Sequence, residues 1–322
     1  VVLTRYSDVA TVLRSNDYSR DIEKSAKPVD DPIRKRMRER RRDTSKSILN
    51  LDPPDHTRLR RLVSKAFTPS AIEMLRPMVQ RYVDEALNAA DQRVRNGGTF
   101  ELIDDVAFPV PFLVISAMLG MPIERAEELR DWSQVITRTL EPTVGMDDIE
   151  QADAAFAQLL PFLDEVIAER RTNLGSDMLS SLISAEESGD KLTAEELVTF
   201  VVLLYIAGHE TTVNLIGNSM LALLRAPDEL AYARQHGLNP NAIDELLRFD
   251  GPVQHTVRVP LVPVQFQVGD HTIEVAAGER VLTSLGAASH DPSVFDDPHR
   301  LDLRRANANK HLGFAAGTHY CL

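Results

Sequence analysis

Thr193 to Leu224 reads as one uninterrupted helical stretch, closed by Arg225-Ala226-Pro227; its 32 residues would span about 48 Å. Thr193 and Glu196, three positions on, carry a capping-box signature at its start. A helix of that length sets the scale of any fold that contains it. Its longest apolar run, Val198 to Gly208, is broken only by Thr199, is too short to cross a bilayer, and meets His209 and Glu210.

The rest of the chain is also predominantly helical in pattern. Val9 to Arg14 forms a short helix, and the polar run on to Ser47 a long surface connection. Pro53 and Pro54 open a helix through Ala66, with Pro54 suited to a first turn. Pro69 and Ser70 start another, reaching about Val94 before Gly97-Gly98. Further helices are expected over Pro109–Leu119, Ile123–Leu140, Ile149–Arg171, Asp177–Glu187, Pro227–His236 and Asn241–Phe249. From Val257 to Leu285 the texture alternates and is rich in valine and proline, which predicts a few short strands. The expectation is a mainly α protein with a small β-sheet region near the C-terminus.

Charge and cysteine usage narrow the function. The net charge is −12, yet Arg34 to Arg42 holds seven of the 36 basic residues, leaving a strongly acidic remainder. Such a body argues against nucleic-acid binding, which needs a basic surface. The basic run itself reads as a solvated or mobile segment, or less simply as a catcher of an anionic substrate or carrier. One cysteine excludes an intramolecular disulfide and suits a reducing compartment. With no signal segment and no membrane span in view, a soluble cytoplasmic protein is expected.

Two constellations carry chemistry. The first is the final stretch His311-Leu-Gly-Phe314-Ala-Ala-Gly317-Thr-His319-Tyr-Cys321-Leu322. A lone intracellular cysteine is by default a small buried apolar residue. Here Gly313, Gly317 and two alanines make a compact loop, and Phe314 could shield the sulfur. A thiolate needs a metal or backbone N–H donors to remain ionised. Zinc would require more Cys or His ligands at short spacing, and His319 at i−2 is not by itself a base with an orienting partner. The second is Ala207-Gly208-His209-Glu210-Thr211-Thr212 in the middle of the long helix. Glu210 could simply face solvent while the threonines pack inward. Alternatively, Thr211 turns its hydroxyl to the carbonyl of Ala207 and bends the helix. Gly208 would then leave a groove for a diatomic ligand and water, with Glu210 supplying protons.

The loop Phe314–Cys321 resembles the haem-binding loop of cytochrome P450 monooxygenases, and the hexapeptide is similar to that family's oxygen-activation motif. The resemblance covers the chain in order and implies the family's helical fold. It implies haem b (iron protoporphyrin IX), held by Cys321 as the thiolate ligand to iron, with Glu210 and Thr211 as the catalytic acid and alcohol. His209 falls where the family varies and receives no role. Ala207, Gly208, Phe314 and Gly317 would border the macrocycle. His56 and Arg60, in a phrase resembling the family's third main helix, would bind the propionates together with Arg258 and His319. Glu245-Leu-Leu-Arg248 matches the family's Glu-x-x-Arg pair, with Arg300 as the later arginine that completes it and holds the cysteine loop. Leu203, Ile206, Ala207, Val253 and Thr256 would line an aliphatic substrate pocket.

The implied protein is a single haem domain over residues 1–322 and a monomer. It would insert one oxygen atom from O2 into a hydrophobic small molecule, using electrons from a ferredoxin-type donor with its reductase. A peroxide-driven haem-thiolate enzyme, a non-catalytic haem-binding protein and a haem-free helical interaction protein are the alternatives. Two departures stand out. The family's loop usually has glycine where Ala315 stands, and alanine there would cost on the order of 1 kcal/mol if the backbone angle is positive. The chain also reads as a fragment truncated at both termini, without the N-terminal segments that complete the sheet or the helix after the cysteine.

Overall fold

The structure is a computed structural model that describes residues 1–26, 32, 35–36, 47–140, 144–187 and 192–322. In chain order its elements are β1 (Val2–Leu3), α1 (Tyr6–Arg14), β2 (Tyr18–Ser19), α2 (Asp55–Ser64), α3 (Pro69–Glu73), α4 (Arg76–Arg95) and α5 (Pro109–Met118). There follow α6 (Ala126–Thr137), α7 (Met146–Thr172), α8 (Met178–Glu187), α9 (Ala194–Arg225), α10 (Pro227–His236) and α11 (Pro240–Asp250). The strands β3 (His255–Pro260), β4 (Val264–Val268), β5 (His271–Val275) and β6 (Val281–Ser284) come next, then the short helix α12 (Leu285–Ala288). The mainly α expectation holds.

Local chemistry explains most boundaries. Thr68 caps α3, its Oγ1 accepting from the Ala71 amide at 3.1 Å, and Asn239 caps α11 through the Ala242 amide at 2.9 Å. The capping box at the start of α9 is formed in both directions: Thr193 N–H to Glu196 at 2.9 Å, and Glu196 N–H to Thr193 Oγ1 at 3.1 Å. One expected helix divides. The stretch from Pro69 to Val94 is two helices, α3 and α4, because Pro77 belongs to a first turn and lacks the amide that would continue α3.

The chain falls into two compact units. The first comprises Val1–Pro28, Leu49–Asp52 and Asn214–Leu322. Its four-stranded sheet has the order β1-β6-β3-β2, with β1 parallel to β6 and the other pairings antiparallel; β4 and β5 form a separate hairpin. The N-terminal region contributes two strands to this sheet, Val2–Leu3 and Tyr18–Ser19, which the sequence reading did not mark. They are two-residue pairings, too short to show as an alternation in sequence. Val9, Val12 and Leu13 of α1 share a core with Val281, Leu285 and Leu312.

The second unit comprises Val29–Ile48 and Pro53–Val213. In it α6 packs on α7, where Trp132 meets Phe162 with ring centroids 5.9 Å apart, and α5 packs on α4. Of the basic stretch Arg34–Arg42, only Lys35 and Arg36 lie within the described residues, and Arg36 pairs with Asp153 at 3.0 Å. Among the described residues, α9 is the one helix long and apolar enough to cross a membrane by length and composition. Gly208, His209 and Glu210 interrupt its middle.

Candidate active site

In the first unit the cysteine loop is a tight, self-bonded turn seated on α11 and α1. The Cys321 amide donates to the Phe314 carbonyl at 3.0 Å, and the Tyr320 amide to Gly317 at 3.1 Å. Ala315 sits at φ +59°, the left-handed angle anticipated for a position where glycine is usual, and Gly317 at φ +71°. A Cβ on Gly317 would come within 2.5 Å of the Leu13 carbonyl, so glycine is what lets the loop lie against α1. His311 reaches Asp244 of α11 at 3.6 Å, and burial holds its imidazole below the usual value, against the pull of Asp244. The loop presents Cys321 exposed at its end, with Phe314 stacked edge-on to Tyr320 at 6.0 Å. His319 closes a 3₁₀ turn, Gly317–His319, just before it.

Beneath this loop lies a buried ionic knot. Arg248 grips Glu245 with two hydrogen bonds, 2.7 and 2.9 Å, and donates to the carbonyls of Ser289 and Pro298 at 2.8 and 2.9 Å. The third member is Arg305, whose Nε lies 3.1 and 3.0 Å from the two Glu245 oxygens. Arg300 does not complete the pair as expected: its side chain is exposed, and only its carbonyl takes part, accepting from Arg305 at 3.0 Å. The correction follows from burial, since a carboxylate with no exposed surface needs cations that are buried with it. The knot touches the cysteine loop through Ser289, whose carbonyl accepts from Arg248 while its Oγ lies 3.5 Å from the Leu312 amide.

Arg258 is the other buried cation of this unit, 3% exposed on β3. Its Nη1 donates to Thr256 Oγ1 at 2.9 Å and to the Val257 carbonyl at 3.1 Å. Thr256, expected in the substrate pocket, is thus engaged by Arg258, while Val253 is exposed nearby in sequence. A cleft of about 380 Å³ lies in the same unit between Arg225, Asp250 and His299; neither Val253 nor Thr256 lines it.

In the second unit α9 carries the polar interruption. Thr211 Oγ1 donates to the Ala207 carbonyl at 3.0 Å, the bond anticipated from the sequence, and Thr212 repeats it weakly to Gly208 at 3.4 Å. Glu210 is half-buried beside them, and Leu203 and Ile206 are half-buried one to two turns earlier. Gly208 is exposed, and it also has a packing role on its other side. A Cβ there would meet Ile115 of α5 at 3.0 and 3.1 Å, so the glycine lets α5 approach α9. His209, which received no role, is fully buried among Phe108, Phe112 and Tyr205, with ring centroids 5.6 to 5.8 Å away. Its Nδ1 bonds the Tyr205 carbonyl at 2.6 Å, and burial holds it below its usual value. On α2, His56 is buried and Arg60, one turn on, half-buried, so the two share the inward face of that helix.

Comparison with known proteins gives these arrangements a family. The family model described as Cytochrome P450 matches residues 1–236 and 238–322. The chain is 39% identical to Cytochrome P450 107B1 of Saccharopolyspora erythraea, covering all of this chain and 76% of that one. It is 38% identical to Cytochrome P450 monooxygenase PikC of Streptomyces venezuelae, covering 98% of this chain and 72% of that one. Among solved structures, the myxobacterial cytochrome P450 CYP267B1 in complex with myristic acid superposes with a TM-score of 0.86 at 37% identity, covering 99% of this chain and 77% of that one. A glycine-fitted cysteine loop and a long helix whose Thr211 hydroxyl bonds back to the Ala207 carbonyl, on a chain matched across nearly all its length, make this protein a member of the cytochrome P450 family, a haem-thiolate monooxygenase.

Proposed function

We propose that this enzyme inserts one oxygen atom from O2 into a hydrophobic small molecule, with electrons delivered by a ferredoxin-type donor and its reductase. Haem, when bound, supplies the iron at which O2 is reduced. The donor set suits haem b: an exposed thiol at the end of a self-bonded loop and a buried guanidinium, Arg258, for a propionate carboxylate. Cys321 is the iron ligand. His56, Arg60, Arg258 and His319 hold the propionates, and Ala207, Gly208, Phe314 and Gly317 border the ring. Glu245, Arg248 and Arg305 hold the cysteine loop through α11. Residues 1–322 act as one haem domain, in the cytoplasm.

The observation that carries this reading is the Thr211 hydroxyl bonded to the Ala207 carbonyl, with Glu210 beside it in the middle of α9. Monooxygenation consumes O2, two electrons and two protons and releases one water. The hydroxyl, already donating to a carbonyl, offers its lone pairs to a proton donor on its other side. Glu210 is the acid that resupplies protons, and Thr211 holds the water that relays them. Leu203, Ile206, Ala207, Val253 and Thr256 present mostly aliphatic surface to the substrate. Myristic acid, bound by the related CYP267B1, has that apolar character.

Thr211→Ala tests the assignment. Product formed per electron pair should fall on the order of 10²-fold, the scale of a lost proton-transfer contribution. Turnover driven by hydrogen peroxide, which brings its own protons, should change little. Equal coupling in the variant and the parent would refute the proton-delivery role and favour a peroxide-driven enzyme.

A further inference from the structure

Strand β2 runs antiparallel to β3 with Tyr18 opposite Pro260 and Ser19 opposite Val259, a register that brings Arg20 opposite Arg258. Both guanidiniums turn onto one acceptor: Arg20 Nη1 lies 3.0 Å, and Arg258 Nη1 3.1 Å, from the carbonyl oxygen of Val257. Like charges facing each other across a ladder are unfavourable, more so when one is buried to 97%. The strain is visible in Arg258, where burial first and the Arg20 charge second press against its charged form, opposed by Asp52.

Arg20 is held there deliberately. Its backbone amide donates to Asp52 at 2.9 Å, and the same carboxylate accepts from the Ser19 hydroxyl and from Lys24 Nζ at 2.6 Å. Arg258 meanwhile spends only Nη1 on protein acceptors, Thr256 Oγ1 and the Val257 carbonyl. Its Nε and Nη2 have no acceptor among the described residues. A fold that sets two guanidiniums on one neutral oxygen, and leaves donors of the buried one unused, is arranged for a carboxylate that arrives later.

We propose that Arg20 is a second cation of the Arg258 carboxylate site, so that the cross-strand pair together grips a haem propionate. The inference rests on the reading of Arg258 as a propionate clamp and extends it to a residue of the β2 edge. Arg20 acts through charge and by fixing the Val257 carbonyl that orients Arg258.

The test is haem retention by the holoenzyme, read as the rate of haem transfer to excess apomyoglobin. Enzyme is prepared with native haem and with haem dimethyl ester, whose carboxylates are blocked. Arg20→Gln should speed the loss of native haem about tenfold, the scale of one charge-assisted hydrogen bond, and leave loss of the ester within about twofold. Arg20→Lys, which keeps the charge, should recover part of the difference. Unchanged loss of native haem in Arg20→Gln overturns the proposal, and so does an equal acceleration for both haems, which marks a structural effect. Arg258→Gln separates the two levels. If it too leaves native haem loss unchanged, the clamp reading itself fails; if it accelerates loss while Arg20→Gln does not, only the role of Arg20 falls.

Discussion

At the scale of single residues, Glu245 is a carboxylate with no exposed surface, satisfied by Arg248, Arg305 and the Asp302 amide at 3.0 Å. Removing one partner of such a buried set strands a charge. Arg305→Ala should therefore cost about 3–5 kcal/mol in denaturant unfolding, whereas Arg300→Ala should stay within about 0.5 kcal/mol. Equal costs for the two would reinstate Arg300 as the structural arginine. The Glu-x-x-Arg pair was legible through the family resemblance, since i, i+3 spacing alone usually marks a solvated surface pair. The third arginine was not, since Asp297-Pro298-His299-Arg300 and Leu303-Arg304-Arg305 are both irregular, and only burial separates their cations. Ala315 was legible in the opposite way. An alanine where glycine is usual pointed to a positive angle, and φ is +59°. Ala315→Gly should accordingly raise stability by about 0.5–1 kcal/mol in thermal unfolding, and an unchanged or lower midpoint would show that the left-handed angle carries no strain.

At the scale of elements, α9 shows how one helix combines tight packing with a polar interruption. Gly208 faces Ile115, so Gly208→Val should cost about 1–3 kcal/mol by overpacking the α5–α9 contact, and an unfolding curve would show it. A helix merely making room for a ligand there would accept valine without loss. One residue on, His209 is buried neutral, with its imidazole held below 6.5 by burial and only partly opposed by the Tyr205 carbonyl. The folded protein thus binds fewer protons than the unfolded chain as pH falls below about 6.5, and stability declines in that window. His290 and His311 are shifted in the same direction, again by burial first. His209→Leu should flatten the fall in urea midpoint between pH 7 and pH 5.5 relative to the parent; an unchanged slope would mean His209 is solvated. The capping box and the Thr211 bond were readable because both are local, spanning three or four residues. The aromatic cage around His209 was not, because Phe112 of α5 and Phe108 just before it lie about a hundred residues earlier.

At the scale of the whole molecule, the acidic helical body, the small sheet and the cysteine loop agree with the matched family over nearly the full chain. The two short N-terminal strands escaped sequence reading because pairing, not periodicity, makes them strands. The chemistry converges on one atom, the sulfur of Cys321, which would ligate the iron when haem is bound. The ferrous–carbon monoxide absorption spectrum tests this directly. The parent protein should show a red-shifted Soret band of the thiolate type, and the band should disappear in Cys321→Ser. A parent protein that takes up haem but shows only an imidazole-type band, or a red-shifted band that survives in Cys321→Ser, would contradict it.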